Sequence, residues 1–202
     1  MKTIYLAIIS YFLGSIPSAY IFGRLFKGID IRRVGTGNVG TVNTIRQVGV
    51  IPGLLTGICD AAKGTFAVFI ARVMSSDFPQ AALLALLFAM IGHNWSIWLR
   101  FQGGGGLATC IGGLAFIAVT PMLIVGILWF TAFVLTRHKY ASSLFACMSL
   151  PVMLGIADSS WTSFGYGASL GLTMGIKQAI AWIKYGVKKG IEGAEKGFGA
   201  QV

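Results

Sequence analysis

The stretch TIYLAIISYFLGSIPSAYIF, residues 3–22, contains no charged side chain. As an α-helix it reaches about 30 Å, the thickness of a bilayer's hydrocarbon core. Lys2 ahead of it and the small residues Ser15 and Ser18 would also suit a cleaved secretory leader. Further apolar segments follow at once, however, so the stretch reads as the first span of a polytopic protein. The whole chain agrees: 55% of its 202 residues are hydrophobic and 11% are charged, and the mean hydropathy of +0.78 lies outside the range of soluble domains.

Uncharged or nearly uncharged segments follow at 51–71, 79–99, 107–136, 140–157 and 159–176. The segment 107–136 would reach about 45 Å as one helix, and Pro121 sits at its middle, so two short segments meeting at a turn are expected. The fold class that results is all-α: a polytopic integral membrane helical bundle with about seven membrane segments. Residues 1–176 form its membrane domain. Residues 177–202 read as a basic amphipathic or frayed cytoplasmic tail, because Ile180, Ile183, Val187 and Ile191 recur at helical spacing among Lys184, Lys188, Lys189 and Lys196.

Sixteen Lys and Arg stand against six Asp and Glu, a formal net charge of +10. In a membrane chain that excess reports orientation and contact with anionic membrane lipids, and it is a poor argument for nucleic acid. With seven alternating segments, every loop and tail cation from Arg24 to Lys196 except Arg72 falls on one face, and only Lys2 and Arg72 fall on the other. The positive-inside rule then puts the N-terminus outside and the C-terminus inside. Cys59, Cys110 and Cys147 are isolated in apolar segments, which suits buried small residues better than metal or redox work.

Four groups can carry chemistry, and three gather on the basic face. In IDIRRVGTGNVGTVNTIRQVG, residues 29–49, Gly35, Gly37 and Gly40 let backbone N–H groups approach an oxyanion. Thr36, Asn38 and Asn43 add side-chain donors, and Arg32, Arg33 and Arg46 add guanidinium forks for phosphate. The run also matches G-x-G-x-x-G, but a dinucleotide fingerprint needs a βαβ unit around it, which a helical membrane chain does not offer. A second group, Arg100 with Gly103, Gly104, Gly105 and Gly106, opens a helix whose free N–H groups and positive dipole end favour an anion. His93 and Asn94 precede it; His93 is suited either to carrying a proton or to bonding across helices. Asp60 and Lys63, three residues apart, share a helix face inside the membrane, as a structural ion pair or as part of the site. Ser142 and Ser143 follow the cations Arg137 and Lys139, as helix caps or as part of the site.

These motifs resemble, in order over residues 1–150, the bacterial acyl-phosphate:glycerol-3-phosphate acyltransferases of the PlsY type. The resemblance rests on VGTGNVGTVNTIR at 34–46, DAAKG at 60–64, GHN at 92–94, FQGGGGLAT at 101–109 and KYAS at 139–142. It implies a seven-span enzyme of the bacterial inner membrane, with its site on the cytoplasmic face. The reaction implied moves a fatty acyl group from acyl phosphate to glycerol 3-phosphate, forming lysophosphatidic acid and inorganic phosphate in phospholipid synthesis, with no cofactor and no metal. Thr36, Asn38, Arg46 and Ser142 would then be catalytic. Gly35, Gly37, Gly40, Asn43, Lys63, His93, Asn94, Arg100 and Gly103 to Gly106 would bind substrate.

An acyl phosphate is a mixed anhydride already activated for attack, so positioning and oxyanion stabilisation suffice. No Ser-His-Asp arrangement is visible in the sequence, and direct attack without an acyl-enzyme is expected. Two departures stand out. Gly105 occupies the place of the lysine in the family's G-G-K-G loop, and the family's C-terminal His and Asn are not recognisable in GIKQAIAWIKYG, residues 175–186. Arg100, Lys63 or Lys177 can supply the missing charge. If none does, a non-catalytic relative that binds phosphorylated lipid or acyl phosphate is the alternative. A small anion transporter is a third reading, and it would need polar groups reaching both faces.

Overall fold

The computed structural model describes residues 1–75 and 80–199, with side chains outside the description at 139–140 and 185–199. The chain is all-helical over the described residues, with helices α1 (Lys2–Ser15), α2 (Ser18–Lys27), α3 (Thr41–Gln47), α4 (Val50–Met74) and α5 (Gln80–Asn94). Then come α6 (Leu107–Ile117), α7 (Val119–Thr136), α8 (Lys139–Ala157) and α9 (Trp161–Gly199), with single 3-10 turns at Ile31–Arg33 and Ile97–Leu99.

The first apolar stretch is not one unbroken helix. Pro17 has no N–H and drives the residue before it out of the helical region; Ile16 accordingly takes φ −55° and ψ 118°, and α1 breaks from α2 there. The 107–136 segment divides as expected, but at Ala118. Pro121 sits in the first turn of α7, where no hydrogen bond is lost. Only α6 is short: α7 has 18 residues and is long enough to span, which corrects the expectation of two short segments. Among the described residues four spans are long and apolar enough to cross a membrane, Lys2–Lys27, Val50–Met74, Gln80–Leu99 and Val119–Thr136, against the seven segments expected. Shorter apolar helices run over Leu107–Ile117 and Ala141–Ala157. The side-chain pattern expected for the tail beyond 184 lies outside the described residues.

Lipid solvates apolar side chains as well as a protein core does, so helices in a membrane associate through close contact of small residues. Gly64 of α4 lies on the Thr109 carbonyl of α6, and Gly112 of α6 lies on the Ala61 carbonyl of α4. Gly14 of α1 and Gly92 of α5 make the same kind of approach to Ala89 and Tyr11. The central α5 buries Leu83, Leu86, Ala89 and Met90 against α1, α4, α6 and α9. Ile4, Ile8 and Phe12 of α1 and Leu54, Ile58, Phe66 and Phe69 of α4 remain exposed, as surfaces facing hydrocarbon. Cys110 and Cys147 are buried, Cys59 is half-buried, and all three are free thiols.

Candidate active site

The first loop, between α2 and α3, is held by one side chain. Asn43 is buried in α3; its Oδ1 accepts the Thr36 N–H at 3.1 Å, and its Nδ2 donates to the carbonyls of Ile31, Val34 and Asn38 at 3.2, 3.2 and 3.0 Å. Gly35 and Gly37 both take left-handed φ, 60° and 70°, which a glycine adopts without strain. Thr36, Asn38 and Arg46 are exposed, and Arg46 makes no hydrogen bond or ion pair among the described residues. Asn43, expected as a donor to substrate, is thus already occupied in shaping the loop.

At the end of this loop nearest α2, Asp30 grips Arg32 through both carboxylate oxygens, accepting from Nε at 2.9 Å and Nη2 at 2.7 Å. The guanidinium holds the Asp30 carboxyl down to about 2 from 3.8, and the carboxylate raises Arg32 above its ordinary value. The pair is structural, fixing the turn that leads to Gly35.

The second loop, between α5 and α6, packs directly on the first. A Cβ at Gly104 would lie 2.5 Å from the Val39 carbonyl oxygen and would strike His93 Nε2, and the Gly104 N–H donates to the His93 carbonyl at 3.0 Å. A Cβ at Gly103 would lie 2.6 Å from the Asn94 carbonyl oxygen, and Gly106 has φ 80° with Asn94 Oδ1 beside it. Gly105 differs from these three: among the described residues a Cβ there would meet only Gln178 Nε2, at 3.6 Å, an ordinary contact. Three of the four glycines are therefore demanded by packing, and Gly105 is not. α6 begins at Gly106 with no side-chain cap, leaving its first N–H groups free beside the loop.

Under the loops lies a buried ionic cluster. Lys63 Nζ donates to Asp60 Oδ1 at 2.7 Å, and His93 Nδ1 is 3.6 Å from the same oxygen. Lys63, expected at the substrate, is buried and paired with Asp60. Asn94 is also buried and donates to the Thr173 carbonyl at 3.2 Å, tying the second loop to α9.

α9 runs antiparallel to α8 with Gly167 on Pro151, Gly171 on the Cys147 carbonyl and Gly175 beside Leu144. Lys177 and Gln178 follow Gly175 by two and three residues in α9. Ser142 is buried, its hydroxyl donating to the His138 carbonyl at 2.9 Å with Thr136 Oγ1 at 3.3 Å. Lys177 Nζ lies 5.1 Å from the centre of the Trp95 ring, one residue after Asn94. Gln178 beside Gly105 is a polar group that sequence reading did not place at the loop, and Lys177, next to it in α9, is one of the three cations the sequence offered there. Arg100 stands apart, exposed and in a left-handed conformation with φ 55°.

The glycerol-3-phosphate acyltransferase family model matches residues 4–187. Similar curated proteins include glycerol-3-phosphate acyltransferase 2 of Moorella thermoacetica, 40% identical over 154 residues covering 76% of this chain and 78% of that protein. The glycerol-3-phosphate acyltransferase of Synechococcus sp. is 42% identical over 155 residues, 76% of each chain. Among solved structures, PlsY (YgiH), an integral membrane glycerol 3-phosphate acyltransferase, aligns in its glycerol 3-phosphate form with TM-score 0.81 and 26% identity, covering 93% of this chain and 94% of that one. Its lysophosphatidic acid form aligns with TM-score 0.79 and 25% identity over 94% and 93%.

Proposed function

The chain belongs to the glycerol-3-phosphate acyltransferase family, and from this premise we propose that it transfers a fatty acyl group from acyl phosphate to glycerol 3-phosphate. The 1-hydroxyl of glycerol 3-phosphate attacks the acyl carbonyl carbon, and the bond from that carbon to the phosphate oxygen breaks. Lysophosphatidic acid and inorganic phosphate leave, and the hydroxyl proton passes to the departing phosphate or to a nearby polar side chain. No covalent acyl-enzyme is formed.

The observation that carries this reading is the contact of the two loops at Gly104 and Val39, which joins two anion-binding backbone segments. Gly35, Thr36, Gly37 and Asn38 with Arg46 hold one phosphate, and Gly103 to Gly106 with the N-terminus of α6 hold the other. Ser142 stands at the glycerol end. Gly40 opens α3, while Asn43, Asn94, His93 and Lys63 keep the loops in place. Lys177 supplies the cation that Gly105 lacks: Lys63 is neutralised by Asp60, and Arg100 faces a separate cleft.

The chain is a multi-pass integral membrane protein of the bacterial inner membrane. In our reading seven segments cross it: α1 with α2, then α4, α5, α6, α7, α8 and the first half of α9. The N-terminus is then outside, and the two loops, Ser142 and Lys177 share the cytoplasmic side with a basic tail from 177 to 202.

The test is phosphate release from palmitoyl phosphate by the purified protein with and without glycerol 3-phosphate. Release that requires glycerol 3-phosphate and is lost in Arg46→Ala supports the reading. Silence from wild type, with release only in Gly105→Lys, identifies a binding relative instead.

A further inference from the structure

A basic cleft of about 450 Å³ opens beside the loops, lined by Tyr20, Arg32, Arg33, Trp98, Arg100 and Gln102 among others. None of the residues assigned to the two phosphates of the reaction lines it. We propose that this cleft binds the headgroup of a phosphate-bearing anionic lipid.

Its walls are built for an anion. Tyr20 lies under the guanidiniums of Arg24 and Arg32, each 5.3 Å from the ring centre, and Arg32 also reaches the Leu99 carbonyl at 3.4 Å. Arg32 is thereby held between the two loops, its charge met by Asp30. Arg33 is only 3.9 Å from that same carboxylate, its side chain 85% exposed, and Arg100 has no ion pair among the described residues. Arg32 and Arg33 thus share one carboxylate and Arg100 adds an unpaired guanidinium, leaving about two positive charges, which balances a phosphate monoester dianion. Arg100 and Phe101 both hold left-handed φ, 55° and 62°, a conformation rare for side-chain-bearing residues and found where function requires it. The first lines the cleft and the second is exposed beside it.

The rim decides between a lipid and a free anion. Trp98 and Ile97 are exposed, and the Trp98 ring lies 6.3 Å from Phe12 on the hydrocarbon-facing side of α1, which continues through Ile8 and Ile4. Tryptophan at such a level marks the membrane interface. A phosphate held by Arg33 and Arg100 would therefore have its acyl chains over Trp98 and down α1. The acylglycerol phosphates that the proposed reaction makes fall within this class of ligand, but the site does not depend on that reaction.

The test uses the full chain in detergent, titrated calorimetrically at fixed ionic strength with dioctanoyl phosphatidic acid, dioctanoyl phosphatidylcholine and inorganic phosphate. Phosphatidic acid should bind, and Arg33→Gln should weaken it about fivefold, the effect of one interfacial cation. Arg137→Gln, an exposed cation elsewhere, should not weaken it, and Arg46→Ala should leave the Arg33-sensitive binding in place. Thermal denaturation of Arg33→Gln checks that the exposed substitution leaves the fold intact. Equal binding of phosphatidylcholine, or equal weakening by Arg137→Gln, would overturn the site. Inorganic phosphate binding as tightly with the same Arg33 dependence would make it a free-anion site and remove the lipid. Loss in Arg46→Ala without loss in Arg33→Gln would put the lipid in the catalytic loops. Acyl transfer measured on the same preparations reads the catalytic proposal separately.

Discussion

Replacing Lys177 by alanine tests the proposal that its charge serves the glycine loop. Lys177 precedes Gln178, the one side chain among the described residues that approaches the Gly105 position, and Lys63 is excluded by its 2.7 Å pair with Asp60. A hydrogen bond to a charged group is worth about 1.5–3 kcal/mol, so Lys177→Ala should lower kcat/KM by about 10- to 150-fold. The structure also offers a rescue. Among the described residues a Cβ at Gly105 meets nothing closer than 3.6 Å, so the first carbon of a lysine is accommodated in Gly105→Lys. In the Lys177→Ala background it should recover at least about tenfold of the loss, and Lys177→Arg should retain more activity than Lys177→Ala. The assay is steady-state phosphate release with glycerol 3-phosphate varied, which separates KM from kcat. Unchanged kcat/KM in Lys177→Ala, or a double variant no better than the single, would refute the assignment.

Gly104→Ala should abolish activity while Gly105→Ala leaves it nearly intact, because only the first places a methyl group 2.5 Å from the Val39 carbonyl oxygen; phosphate release measures both. Asp60→Asn leaves Lys63 buried without its carboxylate and should cost about 3–5 kcal/mol of stability, read as a fall in Tm in detergent, whereas Asp60→Leu with Lys63→Met should cost less. Asp30, lowered to about 2 from 3.8, adds stability that is complete above pH 3.8 and lost as pH falls through 2. Asp30→Asn should therefore be less stable at neutral pH by about 2 kcal/mol, with the difference vanishing in acid denaturation near pH 2.

Legibility from sequence followed the range of the interaction. The helical segments were readable because hydrocarbon enforces long uncharged helices, although among the described residues only four of the seven segments expected are long and apolar enough to cross, Pro17 was passed over and α7 proved longer than the Pro121 argument allowed. The glycine stretches, which the structure packs one on the other at Gly104 and Val39, were readable as loops. Their division of labour was not, since Gly103, Gly104, Gly105 and Gly106 are chemically identical and differ only in what lies beside them. Asn43 looked like a ligand donor and turned out to be a scaffold, because its partners are backbone carbonyls that no side-chain pattern reveals.

The sequence by itself determined an all-helical membrane chain, the family and the two glycine-rich loops proposed to meet phosphate, because hydropathy and motif order are local properties. Only the tertiary structure decided which cations remain free. Lys63 is neutralised by Asp60 and Arg32 by Asp30, whereas Lys177 lies over the Trp95 ring, 5.1 Å from its centre. Charge is fixed by composition, but whether a charge is available depends on what the fold sets against it.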